Sequence, residues 1–423
     1  AQGVDFGPWF RRLHLPPAQP LIVGQPEFAQ AAFRLIRTAP LSTWKAYLRW
    51  VVLHAVAEAL PARFYQENFA FFHHVLEGVD TPPERWRVVV LACVGDLNAS
   101  QPLAMAAGKF YVQRMFPPAA KAKILEMVEN IRTAFEERIQ QSSWMGASTK
   151  AKALEKLRAM NVKMGYPDHW QSYSALKLGQ RPFSAQVLAC KGFEARRNLA
   201  KLGHPMDRSE WWMPPSMRNA MYNPTMNDIT FPAGILQPPY FDPNADDAAN
   251  YGAIGVVIGH EMTHGFDAGG RKYDAQGNLN DWWSPEDARA FEAKTRLLAQ
   301  QYDQYEPLPG LHINGKATLS ENIADLGGVE MAFHAWKNAL RGRPSPILDG
   351  FTGEQRFFLG FAQAWRARFR EAYLRTYLQQ EVHSPAQFRV LGSVRNVPEF
   401  RSAFECRAPG SPSTEEKPVL TLW

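Results

Sequence analysis

The chain has 423 residues, 46% of them hydrophobic and 12% aromatic, which is typical of a globular protein of two or three lobes and excludes a disordered or fibrous chain. The net charge of +6 comes from scattered basic residues, which excludes a nucleic-acid-binding stripe, and no apolar run approaches the ~18 residues of a membrane span. Cys93, Cys190 and Cys406 exclude a disulfide framework and leave open either one disulfide with a free thiol or three reduced thiols.

Residues 1 to about 170 are predicted to be helical. One helix is predicted to begin at Leu41, where a Ser/Thr start signal precedes an apolar pattern. A second helix has a buried stripe at three- and four-residue steps, formed by Ile124, Met127, Val128, Ile131, Phe135 and Ile139. Residues 154–160 repeat this pattern until the turn at 165–168 ends the helix. Both stripes are predicted to form core.

The apolar pattern weakens between residues 171 and 218, where proline and glycine turn signals indicate a connection between lobes. We therefore divide the chain into residues 1–185, which hold a partial helical lobe and inter-lobe helices, and residues 186–423. A short strand is predicted at 228–231. Its edge is expected to receive an extended peptide.

Residues 258–267 hold His260 and His264 four positions apart, with Glu261 next to the first. Positions i and i+4 of an α-helix share a face, so both imidazoles can reach one point. Neutral imidazole is a good zinc ligand, and a carboxylate beside that point can deprotonate water. The pattern predicts a zinc site in which the Glu261 carboxylate acts as the base. The alternative is an amphipathic core helix with two incidental histidines.

Several glycines surround this motif. Gly252, Gly255 and Gly259 precede or enter it, and Gly265 follows it. Each costs a helix about 1 kcal/mol relative to Ala, so their presence predicts that other backbone comes very close. A helix buried beneath a substrate cleft has such surroundings.

A second helix is predicted to begin near Thr318, with Glu321 and Asp325 on one face. Like charges at this i, i+4 spacing destabilise an isolated helix by roughly 0.2–0.5 kcal/mol, so a cation between them is expected. Glu321 would be a metal ligand, and Asp325 would accept the free N–H of a ligand histidine. The alternative is an ordinary capping box formed by Thr318 and Glu321.

The segments 260–267 and 321–325 resemble the neprilysin-type M13 zinc metallopeptidases of the gluzincin group, in particular a bacterial oligopeptidase-like member. The resemblance implies a mainly α fold with a small β component. It makes residues 186–423 a thermolysin-like zinc catalytic domain and places an α-helical lobe over the active-site cavity. Further matches cover essentially the whole chain, namely Asn219, Ala220, residues 231–239, 383–385, 388–392 and 403–407, and Trp423.

The resemblance implies one zinc ion per chain, held by His260, His264 and Glu321. Glu261 would take a proton from the attacking water and pass it to the leaving amine, while Asp325 orients a ligand histidine. The implied reaction is endopeptidase cleavage of oligopeptides.

Four further roles follow from the resemblance. His383 would donate to the developing oxyanion, and Arg389 would grip a substrate carbonyl or carboxylate. Asn219 and Ala220 would bind the peptide backbone. An apolar pocket would favour cleavage on the amino side of hydrophobic residues, with a lining formed by Ile235, Tyr240, Val257 and Trp365.

Family members carry a substantial portion before the region of residues 5–9, and that portion is missing here. The chain also begins without Met, so we expect a processed or excised polypeptide that binds the N-terminal fragment of the same precursor. The family relationship implies a secreted or periplasmic location. The alternatives are a catalytically impaired peptide-binding protein, a fragment that needs a separate N-terminal chain for activity, and a helical scaffold without metal.

Overall fold

The computed structural model describes residues 7–13, 23–95, 101–405 and 420–423. Cys93 and Cys190 are free thiols, whereas Cys406 lies outside the described residues, as do parts of the matching segments 5–9 and 403–407. The helices in the first half of the chain are α1 (Gly7–Arg12), α2 (Pro26–Thr38), α3 (Leu41–Ala55), α4 (Ala62–Asn68), α5 (Arg85–Val94), α6 (Ala104–Met115), α7 (Pro118–Gln141), α8 (Ala147–Ala159) and α9 (Phe183–Leu199).

The second half of the chain is also mainly helical. A π-helical turn at Tyr251–Gly255 runs directly into the helix with the histidine motif, and a 3-10 turn at Gly270–Lys272 follows that helix. The helices are α10 (Asp247–Asn250), α11 (Val256–His264), α12 (Pro285–Asp303), α13 (Leu319–Ala339), α14 (Gly353–Ala364), α15 (Glu371–Gln380), α16 (Ala386–Val394) and α17 (Pro398–Ala403).

A small sheet is formed by β1 (Asn161–Gly165), β2 (Met221–Asn223) and β3 (Asp228–Pro232), in the order β1-β3-β2. β1 is parallel and β2 antiparallel to β3. Two predictions were wrong here. β1 falls in the part predicted to be helical, and β3 is central, so the edge strands are β1 and β2.

The predicted stripe on α7 is confirmed, because all six of its residues are at most 3% exposed. They belong to one large core that extends to the C-terminal residue Trp423 and includes α8, α11 and α13. α7 and α8 therefore pack directly against the elements of the second half. α9 runs across the predicted boundary between residues 185 and 186. The division into two domains stays a prediction.

The helices near the start of the chain are far less buried. No residue of α2 or α3 is buried, and large apolar side chains such as Phe28, Leu35 and Leu48 are more than half exposed. The predicted helix at Leu41 exists, but its start signal was wrong, because Pro40 is the N-terminal cap and no side chain caps the helix. Among the described residues, no helix combines the length and the apolar character that crossing a membrane demands.

Two glycines let α11 lie against its neighbours. A Cβ at Gly252 would come within 1.9 Å of the Phe357 carbonyl oxygen, and one at Gly259 within 2.9 Å of the Gly328 carbonyl oxygen. The predicted close approach of other backbone is confirmed at these two positions. At Gly255 the nearest atoms are ordinary side-chain contacts at 3.4 Å. The packing of α11 on α13 brings the histidine motif opposite Glu321 and Asp325.

Candidate metal centre

A cavity of about 980 Å³ opens beside α11 and α13. Every site residue predicted from the sequence lines it, although these residues come from six separate segments of the chain. The lining includes His260, Glu261, His264, Glu321, Asp325, His383, Arg389, Asn219, Ala220, Ile235, Tyr240, Val257 and Trp365.

The two motif histidines converge as an i, i+4 pair should. His260 and His264 lie on the last turns of α11, and their Nε2 atoms are 3.0 Å apart. The Nε2 atoms of both also approach the Glu321 carboxylate, at 3.4 Å for His260 and 3.6 Å for His264. Three side chains from two helices thus form one small triangle, in which His260 faces Oε2 of Glu321 and His264 faces Oε1.

This triangle fits a zinc ion. Tetrahedral bonds of 2.0–2.1 Å place neighbouring ligand atoms about 3.3 Å apart, and the three observed separations bracket that value. The buried Oε2 atom of Glu321 lies 3.2 Å from Nε2 of His383 but makes no hydrogen bond of acceptable geometry. A buried acceptor without a partner is costly, and a cation in the triangle would satisfy it.

The charge state of Glu321 suits a ligand. Burial alone would raise the pKa of this carboxyl, but the imidazoles of His260, His264 and His383 outweigh burial and hold the pKa well below its ordinary value. The carboxyl is therefore ionised, as a metal ligand must be.

Each motif histidine donates a hydrogen bond from its Nδ1–H group to a carboxylate. His260 Nδ1 lies 2.8 Å from Asp325 Oδ1, and His264 Nδ1 lies 2.7 Å from Asp267 Oδ2. Such pairs fix the ring orientation and leave Nε2 free for a metal. No role was predicted for Asp267 from the sequence. Its position three residues after His264, on the same side of a helical turn, was the available signal.

Asp325 is itself held by Arg389. The guanidinium donates through Nε to Oδ2 at 2.7 Å and through Nη2 to Oδ1 at 2.6 Å, and it stacks 3.9 Å above the Trp365 ring. Burial would raise the pKa of Asp325, but Arg389 and His260 lower it. Arg389 thus fixes Asp325, the hydrogen-bond acceptor of His260, and it also lines the cavity.

Thr318 does not form the alternative capping box with Glu321. Its hydroxyl donates to the Asn314 carbonyl and accepts from the Asn322 side chain, and no side chain caps α13. The capping alternative is therefore wrong, and Glu321 is free to face the histidines.

Glu261 and His383 also lie beside these groups. Glu261 is buried and offers an oxygen within 4.8 Å of the two imidazole ligand nitrogens. Glu321 comes within 4 Å of both Nε2 atoms, so either carboxylate can supply an oxygen to a metal there. His383 lies in the loop before α16, with Nδ1 held 3.0 Å from Glu381 Oε2.

The remaining lining includes the residues just before β2. Asn219 and Ala220 directly precede the edge strand β2, and the Asn219 side chain accepts from the Ala220 amide at 2.9 Å. Sequence reasoning missed an aromatic cluster on the same wall, with ring centroids 5.4–5.9 Å apart. Its four-residue spacing was the available signal, since it consists of Phe369, Tyr373 and Tyr377.

Two sequence models of peptidase family M13 match the chain, one over residues 1–167 and one over residues 219–418. Human endothelin-converting enzyme-like 1 is 36% identical, with an alignment that covers 90% of this chain and 49% of the relative. Neprilysin-3 of Drosophila melanogaster is 35% identical, covering 87% and 47%. The chain spans about half the length of the curated relatives it matches.

Solved protein structures also match this chain. The crystal structure of the Mycobacterium tuberculosis zinc metalloprotease Zmp1 in complex with an inhibitor matches with a TM-score of 0.85 and 43% identity, covering 91% of this chain and 58% of that one. PepO from Lactobacillus rhamnosis matches with a TM-score of 0.75 and 33% identity, covering 84% and 54%. The agreement confirms the predicted mainly α, thermolysin-like fold.

Proposed function

The chain belongs to peptidase family M13, and on that premise we propose that it is a zinc-dependent endopeptidase that hydrolyses oligopeptides. The observation that carries this proposal is the triangle of His260, His264 and Glu321, with edges of 3.0, 3.4 and 3.6 Å. The proposed stoichiometry is one zinc ion per chain. When bound, zinc supplies a Lewis acid that polarises a carbonyl oxygen and makes water more acidic.

Glu261 is the proposed proton carrier. Its carboxylate takes the proton of the attacking water and returns it to the nitrogen of the leaving amine. His383 Nε2 is the proposed donor to the oxyanion that develops on the substrate carbonyl. Asp325 and Asp267 hold the ligand imidazoles in place through their Nδ1–H groups.

The proposed substrate is an extended peptide laid along β2. Main-chain pairing with a free strand edge binds a backbone without regard to sequence, and Asn219 and Ala220 stand at the start of that edge. Arg389 is the proposed contact to a carbonyl or carboxylate of the substrate. Cleavage on the amino side of hydrophobic residues is proposed because the adjoining wall is apolar, with Ile235, Tyr240, Val257 and Trp365.

Hydrolysis of a fluorogenic peptide tests the reaction. The expected result is cleavage that is lost with a chelator and restored by one zinc equivalent, and that prefers Phe or Leu over Asp after the cut bond. Glu261→Gln should bind zinc normally but cleave roughly 10²–10⁴-fold more slowly. Cleavage that survives both chelation and Glu261→Gln would contradict the proposal.

A fragment that needs a second chain is the other candidate. The exposed apolar side chains of α2 and α3 favour it, as does the alignment with only 49% of human endothelin-converting enzyme-like 1 and 58% of Zmp1. We propose that the N-terminal fragment of the same precursor covers this surface, in a secreted or periplasmic setting. Supplying the missing family portion as a separate polypeptide should raise activity and form a 1:1 complex in native mass spectrometry. Full activity of the isolated chain without any complex would oppose it.

A further inference from the structure

Lys156 on α8 is a fully buried lysine whose ammonium hydrogen bonds all go to one segment. Its ammonium donates to the carbonyl oxygens of Gly265, Gly270 and Tyr273, at 2.6, 2.7 and 2.7 Å. Burying an ammonium is costly unless every N–H finds an acceptor, and these three carbonyls use all three hydrogens. They all belong to residues 265–273, the segment that follows the metal-binding helix α11.

This segment begins where α11 ends. The last carbonyls of a helix have no partner within the helix and carry a partial negative charge, so a cation there is favourable. Gly265 is the C-terminal cap of α11, and the ammonium of Lys156 reaches its carbonyl from a different helix. The rings of Tyr222 and Phe266 lie 5.8 and 5.6 Å from Nζ and enclose it.

The same segment carries the carboxylate that orients a metal ligand. Asp267 accepts from the backbone amides of Gly269 and Gly270 through Oδ1, at 2.8 and 2.7 Å, and from His264 through Oδ2. The turn is folded tightly on the helix end, since a Cβ at Gly270 would lie 1.7 Å from the His264 carbonyl oxygen. Lys156 therefore binds carbonyl oxygens of the 265–273 turn, while backbone amides of the same turn hold Asp267.

We infer that Lys156 is a positioning residue for the metal site, which closes the 265–273 turn and thereby holds Asp267 against His264. The inference rests on the proposed zinc function. It assigns a share in zinc affinity to α8, a helix with no residue in the cavity lining. Loss of groups that orient a metal ligand typically weakens metal binding 10- to 100-fold.

Lys156→Met tests this, because it keeps most of the side-chain length and removes all three donors. The matched control is Lys163→Met on β1, which removes another buried ammonium that donates to the Glu210 carbonyl and to Asp228. Zinc affinity is measured by competition with a chromogenic chelator on the metal-free proteins. Amide hydrogen exchange of Gly269 and Gly270 is measured on the same samples.

Lys156→Met should raise the zinc dissociation constant 10- to 100-fold and speed exchange at both glycine amides. Lys163→Met should destabilise the fold but leave both quantities within about twofold of the parent. Equal zinc affinity in the two variants overturns the inference, since Lys156 is then only structural. If Lys156→Met does not fold, Lys156→Gln, which keeps two hydrogens, should show a smaller change in the same direction. A parent protein that binds no zinc would sink the proposed function itself, a separate outcome.

Discussion

Helix α13 and the helices α2 and α3 have very different surroundings. Fourteen of the 21 residues of α13 are buried, whereas α2 and α3 contain no buried residue. A helix packed on all sides has its side chains fixed to within fractions of an ångström, which a metal site requires. An amphipathic sequence is enough to form a helix, but it does not place the side chains. The site is therefore built only where packing surrounds the helix.

The largest expected effect comes from breaking the charged contacts of α13. Asp325→Ala should destabilise the protein by about 3–5 kcal/mol, because it leaves the buried guanidinium of Arg389 without its carboxylate. It should also raise the zinc dissociation constant about 10- to 100-fold, since His260 loses its acceptor. Urea denaturation of the metal-free protein and chelator competition measure the two effects.

The control for Asp325→Ala is a half-exposed histidine–carboxylate contact between α4 and α5. His73 and Glu77 are 2.8 Å apart, but their side chains are 40% and 36% exposed. Exposed pairs contribute little, so Glu77→Ala should change the free energy of unfolding by less than about 1 kcal/mol. If Asp325→Ala and Glu77→Ala cost the same, the contrast between the two regions is wrong.

Close backbone packing around α11 gives the next largest effect. Gly252→Ala should cost about 3 kcal/mol, because the added methyl would overlap the Phe357 carbonyl and force α14 away. Gly24→Ala near the start of the chain is the matched change, since nothing lies within 4 Å of its Cβ position. Thermal denaturation of both variants measures the difference. A Gly252→Ala protein as stable as its parent would show that the π-helical turn at Tyr251–Gly255 and α14 are loosely packed.

Much of the site could be predicted because its chemistry follows from helical spacing. The i, i+4 pair of His260 and His264 and the facing pair of Glu321 and Asp325 need only a regular helix to share a face. The stripe on α7 was visible for the same reason. The structure places these faces around one cavity, which spacing alone does not determine.

The rest depends on contacts between residues far apart in the chain. β1 has only five residues and pairs with β3 about 67 positions later, so its local sequence carries little strand signal. Lys156 gave no signal either, because its partners are backbone carbonyls 109 to 117 residues away. The exposure of α3 was equally hidden, since an apolar stripe predicts a buried face whether or not a partner covers it.

The pH dependence of stability gives another comparison between α13 and an exposed part of the protein. Glu330 is a buried acid on α13, and burial can shift the pKa of its carboxyl. Burial is the largest cause that raises its pKa to about 8, with Glu399 adding to burial and Arg138 opposing it. The unfolded chain ionises near pH 4.5, so this group stabilises the folded state fully below pH 4.5 and loses that contribution as pH rises to about 8.

Glu330→Gln should remove this loss. The stability of the variant relative to the parent should therefore rise with pH by roughly 1 kcal/mol per unit between 4.5 and 8. Denaturant titrations of the metal-free proteins at pH 5, 6.5 and 8 measure it. Glu286→Gln, at a side chain that is 74% exposed, is the control and should show no trend. A parallel pH dependence of Glu330→Gln and the parent would show that Glu330 is ionised in the fold.

The smallest effect is expected on the exposed face of α3. Leu48 is 55% exposed, so Leu48→Gln should change the free energy of unfolding by no more than about 0.5 kcal/mol. Leu157→Gln on α8 is the contrasting variant, since Leu157 is fully buried and a polar group there should cost several kcal/mol (on the order of 3). A loss above 1 kcal/mol for Leu48→Gln would mean that α3 is covered in the isolated chain. If instead the stability is unchanged while binding of the proposed N-terminal fragment weakens, the apolar face of α3 is a surface between chains rather than part of this chain's own core.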